Sequence, residues 1–482
     1  MIEQGILEHP IMRKTIADLN MAEVWMVPYL DVPFDFNKGA GEHFERVMNA
    51  LADESGYGEL RVAPVVPLGH SACATYPWNF AAWNPERTLA ILSVHGDAPQ
   101  TDKTGYGRAN VDWADRNIDG VPGLMVMGEY EWWEDRIRPA FKFLEKHPKT
   151  PMAFLGDAGH GHFDYSDELV SFLAMFIRKA SEARLPKDES QQTKLRAIDP
   201  KDGWRIDRWR KDQPPAAPAA HFEEYAGNPK EAFWCFDEDM AKKTESYYAA
   251  TRGKKPQLLS IMDEEKPEKG CGEPVTPRFN TGEDGVTFRL KTAFLDKVPA
   301  DNAKATLWTT LPAGTPLEHA TGGGSIKLRR IVGPIIQTGP DTFSYRMGRA
   351  EYTRNSRNYD MWIWASHPGD TEYKGVVQQA MIKATPTKDG APQTITFPPI
   401  ADQPFGTKTL KLKAASDAGV PVSYFVREGP VELEGDTLKF QPIPTRAKFP
   451  IKVTVVAWQF GRSAEPKLNT AQPVERTFYI TK

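Results

Sequence analysis

The sequence predicts an α/β unit built on a mostly parallel sheet, followed by two β-sandwiches. Three observations carry this. Over residues 1–183, short apolar runs alternate with segments of helical apolar spacing, the pattern of parallel strands covered by helices. From about residue 273, apolar and polar residues alternate between turn signals, as in antiparallel sandwiches. Between the two, residues 184–272 are charged, Pro-rich and short of strand signal. For a chain of 482 residues, roughly 100–200 residues per domain gives two to four domains. The expected division is 1–183, an aromatic-rich strap or linker over 184–272, and sandwiches over 273–387 and 388–482.

In chain order, Leu7–Leu19 has helical spacing and Glu23–Leu30 is a compact apolar run, read as a strand. Glu42–Ala52 is helical again. Val62–Leu68, Leu89–Val94, Leu124–Met127 and Pro151–Leu155 are further apolar runs, and Leu169–Ala180 reads as an amphipathic helix. The middle stretch carries Trp204, Trp209, Phe222, Tyr225, Phe233, Trp234 and Phe236. Flexible linkers are poor in aromatics, so an ordered strap lying against a folded domain is expected. Val286–Leu290, Leu410–Ala414 and Ile451–Val455 alternate as half-buried strands. The polar joint Pro386–Pro392 separates the two sandwiches.

Composition narrows the function classes. Lys and Arg number 60 against 64 Asp and Glu, a net charge of −4, which gives no electrostatic drive toward nucleic acid or anionic membrane. No apolar run reaches the roughly 18 residues of a membrane span. Met1 to Pro10 carries Glu3, Glu8 and His9 and has neither a basic start nor an apolar core, so no signal peptide is visible. The three cysteines, Cys73, Cys235 and Cys271, cannot build a disulfide framework or a four-cysteine zinc site, and read as free or buried thiols.

The sharpest chemical signal is Leu68-Gly69-His70-Ser71-Ala72-Cys73-Ala74, where an apolar run enters Gly-x-Ser-x-small ahead of a helix. This is the pattern of a nucleophile elbow, a strained turn that lifts a serine hydroxyl above the sheet and needs small flanking residues. Cys73 stands where glycine is usual. The backbone N–H of Ala72 is the expected oxyanion donor. The serine needs a base, and the base an orienting carboxylate, in the order Ser, acid, His. Glu131 occupies the Gly-x-x-acid position after the run ending at Met127, with Glu129 as the alternative. In Gly159-His160-Gly161-His162-Phe163-Asp164, His162 is the expected base and His160 the alternative. The His-x-His pair lacks a second ligand cluster, so neither metal nor cofactor is expected. His70 is expected to point away from the site.

On these residues, the first 180 positions resemble the α/β-hydrolase superfamily, through the elbow, the acid loop Gly128–Glu131 and the histidine loop Gly159–Asp164. More narrowly, the chain is similar to large bacterial esterase-like proteins with C-terminal sandwiches, associated with polysaccharide breakdown. The stretch from Ile395 through Gly419–Tyr424 to Thr477–Ile480 is similar to bacterial immunoglobulin-like modules of secreted proteins. The resemblance implies a Ser71–His162–Glu131 triad and a secreted or periplasmic full-length protein. Superfamily members have three strands before the helix that precedes Glu23–Leu30. Those N-terminal strands are therefore expected to be missing here, and Met1–Gly5 would fall where the second oxyanion donor belongs.

The leading expectation is a serine esterase acting on acyl-decorated carbohydrate or related small esters. Tyr76, Trp78, Trp113 and Trp132, in loops at the strand C-termini, are the expected substrate platforms; Tyr106 and Arg108 lie in the same loops, as do Asp97, Asp102 and Asp112, which could bind polar groups. The contrasting expectation is a non-catalytic carbohydrate- or partner-binding protein with a degenerate hydrolase domain. The sequence says nothing of oligomeric state.

Overall fold

The structure, a computed structural model, describes residues 2–26, 33–101, 109–131, 133–188, 194–262, 274–300, 308–349 and 360–482. The N-terminal part opens with α1 (Ile2–Glu8) and α2 (Pro10–Asp18) in place of one helix over Leu7–Leu19. Pro10 has no N–H to continue α1, so it takes the first position of α2, and the His9 ring accepts from Ile11 N at 3.3 Å. The expected strand over Glu23–Leu30 does not form where it is described. Residues 21–26 have no regular structure, Trp25 is exposed, and 27–30 lie outside the described residues. Helix α3 (Ala40–Ser55) follows.

The run Val62–Leu68 yields a short strand, β1 (Leu68–His70), preceded by a lone bridge from Val65 to Thr88. Pro64 and Pro67 explain the loss, because neither can donate to a ladder. The rest alternates as expected: α4 (Tyr76–Trp83), β2 (Ile91–Val94), β3 (Gly123–Gly128), α5 (Trp133–Lys146), β4 (Met152–Asp157) and α6 (Asp167–Arg184). The four strands form one all-parallel sheet in the order β1-β2-β3-β4. Strands β2, β3 and β4 are buried at every residue, as a sheet covered on both faces requires.

The strap is ordered over residues 194–262. Strands β5 (Trp204–Asp207), β6 (Ala220–His221) and β7 (Ala232–Cys235) pair antiparallel in the order β6-β5-β7, and α7 (Glu238–Ala249) follows. Its aromatics cover the β4 end of the parallel sheet. Phe233 stacks on Phe154 at 5.0 Å, and the Tyr248 hydroxyl donates to Phe154 O at 3.1 Å while accepting from Gly156 N at 3.2 Å. Strand β8 (Leu259–Met262) leaves the strap and pairs with β10 (Lys291–Phe294), so the β-rich part recruits a strand from before residue 272.

Beyond the strap the sheets are small. Strand β9 (Thr287–Arg289) joins β12 (Ile335–Gln337) and β13 (Thr342–Tyr345), while β11 (Lys327–Val332), β14 (Asp360–His367) and β15 (Val376–Lys383) form a second antiparallel sheet. In the last part, β16 (Ile395–Thr396) pairs with β19 (Ala415–Ser416). Strands β17 (Gln403–Pro404), β20 (Ser423–Glu428), β23 (Ile451–Trp458) and β24 (Val474–Thr481) make one sheet; β18 (Thr409–Lys411), β21 (Val431–Glu434) and β22 (Thr437–Phe440) make another. All pairs are antiparallel except β17–β24. Two cores cross the boundaries between regions, whereas a third, around Leu438, Val453 and Phe478, belongs to the last region alone. The first extends from the parallel sheet into Trp308, Ile331, Trp362, Trp364 and Val377, and the second joins Phe343 and Tyr345 to Trp458 and Phe460. No helix among the described residues is long and apolar enough to cross a membrane.

Candidate active site

Strand β1 ends at His70, and the chain turns at Ser71 with φ of +58°. A residue with a β-carbon holds that left-handed conformation only where its surroundings impose it. Ser71–Cys73 then form one 3-10 turn ahead of α4. A β-carbon on Gly69 would stand 2.0 Å from Cys73 O, so the return of the chain over β1 demands glycine there. Cys73 is absent from the positive-φ residues, which is why a side chain is tolerated at its position. It is a free, half-buried thiol; Cys235 is free and buried, and Cys271 lies outside the described residues. Ala72 sits in the first turn after the serine, where backbone amides have no intrahelical acceptor.

Three side chains distant in sequence meet at this turn. His162 Nε2 lies 2.6 Å from Ser71 Oγ, and His162 Nδ1 lies 3.1 Å from Glu131 Oε2. Glu131 is almost wholly buried, whereas the His162 side chain retains 20% of its exposure. Burial alone would raise the Glu131 pKa. The adjacent His162 and His95 outweigh it and hold the carboxyl well below its usual range.

The alternatives are engaged elsewhere. Glu129 accepts from Gly159 N at 3.1 Å and lies 3.4 Å from Lys211 Nζ, and burial raises its pKa. His160 Nδ1 is hydrogen-bonded to Asp164 Oδ2. Burial opposes a charge on His160, but the Asp157 and Asp164 carboxylates prevail and lift its pKa to about 9. His70 does not point clear of the site. Its Nε2 lies 2.7 Å from His162 O, and its pKa is pushed well down, first by burial and then by the neighbouring His162, so the neutral ring donates to that carbonyl.

Two contacts on Glu131 were not anticipated. His95, just past β2 and itself at φ +49°, places Nδ1 at 2.8 Å from Glu131 Oε1, and Arg136 Nη1 of α5 lies 3.4 Å from Oε2. The signal for His95 was present: Ser93-Val94-His95-Gly96-Asp97 puts polar residues at the C-terminal end of an apolar strand, the edge on which the elbow opens. Arg136 had no such signal, since its position depends on how α5 docks.

The histidine loop is held from the β-rich part. Asp164 accepts from Gly161 N at 2.9 Å and from Gln379 Nε2 of β15. The Tyr165 hydroxyl donates to Ile331 O of β11 at 3.1 Å, and Phe163 packs on Trp362 of β14 at 4.4 Å. Gly128, at the end of β3, lets this loop approach: a β-carbon there would stand 2.7 Å from Gly161 O.

The expected aromatic platforms need correction. Trp78 and Trp113 are core residues, each 1% exposed. Trp78 Nε1 donates to Asp97 O at 2.9 Å and Trp113 Nε1 to Asn79 Oδ1 at 2.7 Å, so their polar edges are consumed inside. Tyr76 is half-buried, packed against Phe34 and Phe80, and burial raises its pKa. Trp132, like Asp102, Tyr106 and Arg108, lies outside the described residues. Asp97 is buried beside Arg136 Nε at 3.4 Å, and Asp112 accepts from Ala114 N at 2.9 Å in its own turn, so both carboxylates serve the fold. A cavity of about 560 Å³ opens between the two β-rich regions, lined by Arg278, Phe279, Lys383 and Phe460 among others; Ser71, Glu131 and His162 do not border it.

No family model matches the chain, and no curated protein matches it. Among solved structures, it is similar to two crystal structures of human protocadherin-24 EC1-2. One, form II, has 9% identity over 33% of this chain and 82% of that one at a TM-score of 0.16. The other has 10% identity over 43% and 94%, also at 0.16. Drosophila N-cadherin EC1-4 gives 12% identity over 46% and 51% at 0.15. At these scores the likeness carries no argument.

Proposed function

We propose that this chain is a serine hydrolase that removes acyl groups from carbohydrate or related small esters. The observation that supports it most is the unbroken contact from Ser71 Oγ through His162 to Glu131 Oε2, at 2.6 and 3.1 Å, on a serine held at positive φ. His162 Nε2 takes the Ser71 proton as Oγ attacks the ester carbonyl. The Ala72 N–H stabilises the oxyanion, and His162 returns the proton to the leaving alkoxide. Water, deprotonated by His162 in turn, then hydrolyses the acyl-enzyme. Glu131 stays ionised and fixes the imidazole tautomer that has Nδ1–H toward it.

With Trp78 and Trp113 in the core, the sugar preference rests on the resemblance of the chain to polysaccharide-associated esterases. A panel of acetylated oligosaccharides, aromatic sugar esters and simple aryl acetates decides it. Ester hydrolysis is expected, with Ser71→Ala losing at least about 10³-fold in kcat. An unchanged rate in Ser71→Ala overturns the reading.

A further inference from the structure

Two histidines contact the Glu131 carboxylate, and the reaction above uses one. His162 Nδ1 meets Oε2 at 3.1 Å; His95 Nδ1 meets Oε1 at 2.8 Å. His95 is fully buried and keeps a left-handed φ of +49° directly after β2, a conformation retained only where the surroundings over-determine it. Gly128 N lies 3.3 Å from the same Oε1 and 3.2 Å from His95 Nδ1. A hydrogen must lie between Nδ1 and an ionised Oε1, so Nδ1 is the donor in the neutral ring and in the cation alike, and the Gly128 N–H is left to the carboxylate.

We propose that His95 is a positioning residue of the same site: it pins Oε1 so that Oε2 is presented to His162. The proposal rests on the serine-hydrolase reading. Arg136 Nη1 stands 3.4 Å from Oε2, so a carboxylate released at Oε1 can turn toward the guanidinium and away from the imidazole. The groups facing His95 are Glu131, Asp157, Asp164 and the rings of His70 and His162 at 5.7 and 6.0 Å. Turned toward the guanidinium, the carboxylate no longer supports positive charge on the His162 ring.

The test compares wild type with His95→Phe, which removes the donor, and His95→Asn, whose amide nitrogen replaces Nδ1. On an ester substrate, His95→Phe is expected to lose roughly 10- to 100-fold in kcat with KM unchanged, the scale of one hydrogen bond to a charged group. The acid limb of its kcat/KM profile is expected to move to lower pH, and His95→Asn to recover most of both. A folded His95→Phe with the wild-type rate and profile overturns the proposal, as does equal impairment of the two variants. A second measurement does not depend on turnover or on either variant folding. In ¹⁵N-histidine-labelled protein, the His95 Nδ1–H is expected as a low-field resonance that is lost in Glu131→Gln and kept in Ser71→Ala. Persistence in Glu131→Gln overturns the clamp, whereas absent turnover with this resonance intact counts against the hydrolase reading alone.

Discussion

At Ser71, one residue carries two demands, a left-handed backbone and a hydroxyl aimed at His162, and its neighbours explain both. Gly69 was legible because an elbow needs a residue without a β-carbon, and the 2.0 Å approach of Cys73 O gives the reason. The sequence preferred Glu131 for its Gly-x-x-acid position and His162 for its place in the Gly-rich loop before Phe163 and Asp164, and these are the two side chains found in contact with each other and with Ser71. The partners of the rejected pair were not legible, because they come from Lys211, Asp164 and Gln379, which only folding brings near. The His160–Asp164 pair makes a pH prediction. The pKa of His160 is lifted to about 9, above the ~6.5 of a free imidazole. Its protonated form therefore stabilises the fold fully below about pH 6.5, and that contribution is lost as pH rises towards 9. Thermal midpoints followed from pH 6 to 10 are expected to fall more steeply in wild type than in His160→Gln. Parallel curves would remove the pair from the account.

At the scale of elements, the sequence read type better than pairing. The runs at β2, β3 and β4 fell where expected because full burial leaves an uninterrupted apolar signature, and α6 because one buried face leaves helical apolar spacing. Val62–Leu68 misled because hydrophobicity outweighed Pro64 and Pro67, which leave the ladder short of donors. Residues 23–26 form no strand because an apolar run does not choose its partner, and 27–30 lie outside the described residues. The contact of β11, β14 and β15 with the histidine loop had no sequence signal at all. Its prediction concerns Gln379, which donates to the buried Asp164. Gln379→Leu leaves that carboxylate short of a donor and is expected to cost about 1–3 kcal/mol. Chemical denaturation measures the loss, and limited proteolysis should cut first in the loop carrying His162. An unchanged midpoint would mean that the β-rich part does not brace the loop.

Across the whole molecule, the aromatic wealth of the strap has a structural use. Phe233, Tyr248 and Trp209 finish one end of the parallel sheet, which made the stretch unlike a linker from the outset. Trp308 joins three regions. It is fully buried, edge-on to Tyr130 at 4.7 Å, with Lys211 of the strap and Lys374 of the β-rich part 5.2 and 5.4 Å from its ring. Trp308→Ala is expected to destabilise by about 3–5 kcal/mol and to lower ester hydrolysis along with it. Full stability in the variant would show the regions to be independent.

The central claim is that Ser71 is a nucleophile activated by His162. Intact-mass analysis after incubation with a fluorophosphonate probe tests it most directly. The account predicts a single adduct on wild type, mapped to Ser71 by peptide analysis, absent from Ser71→Ala and strongly reduced in His162→Ala. A wild-type chain that stays unlabelled, or an adduct that persists in Ser71→Ala, would contradict it.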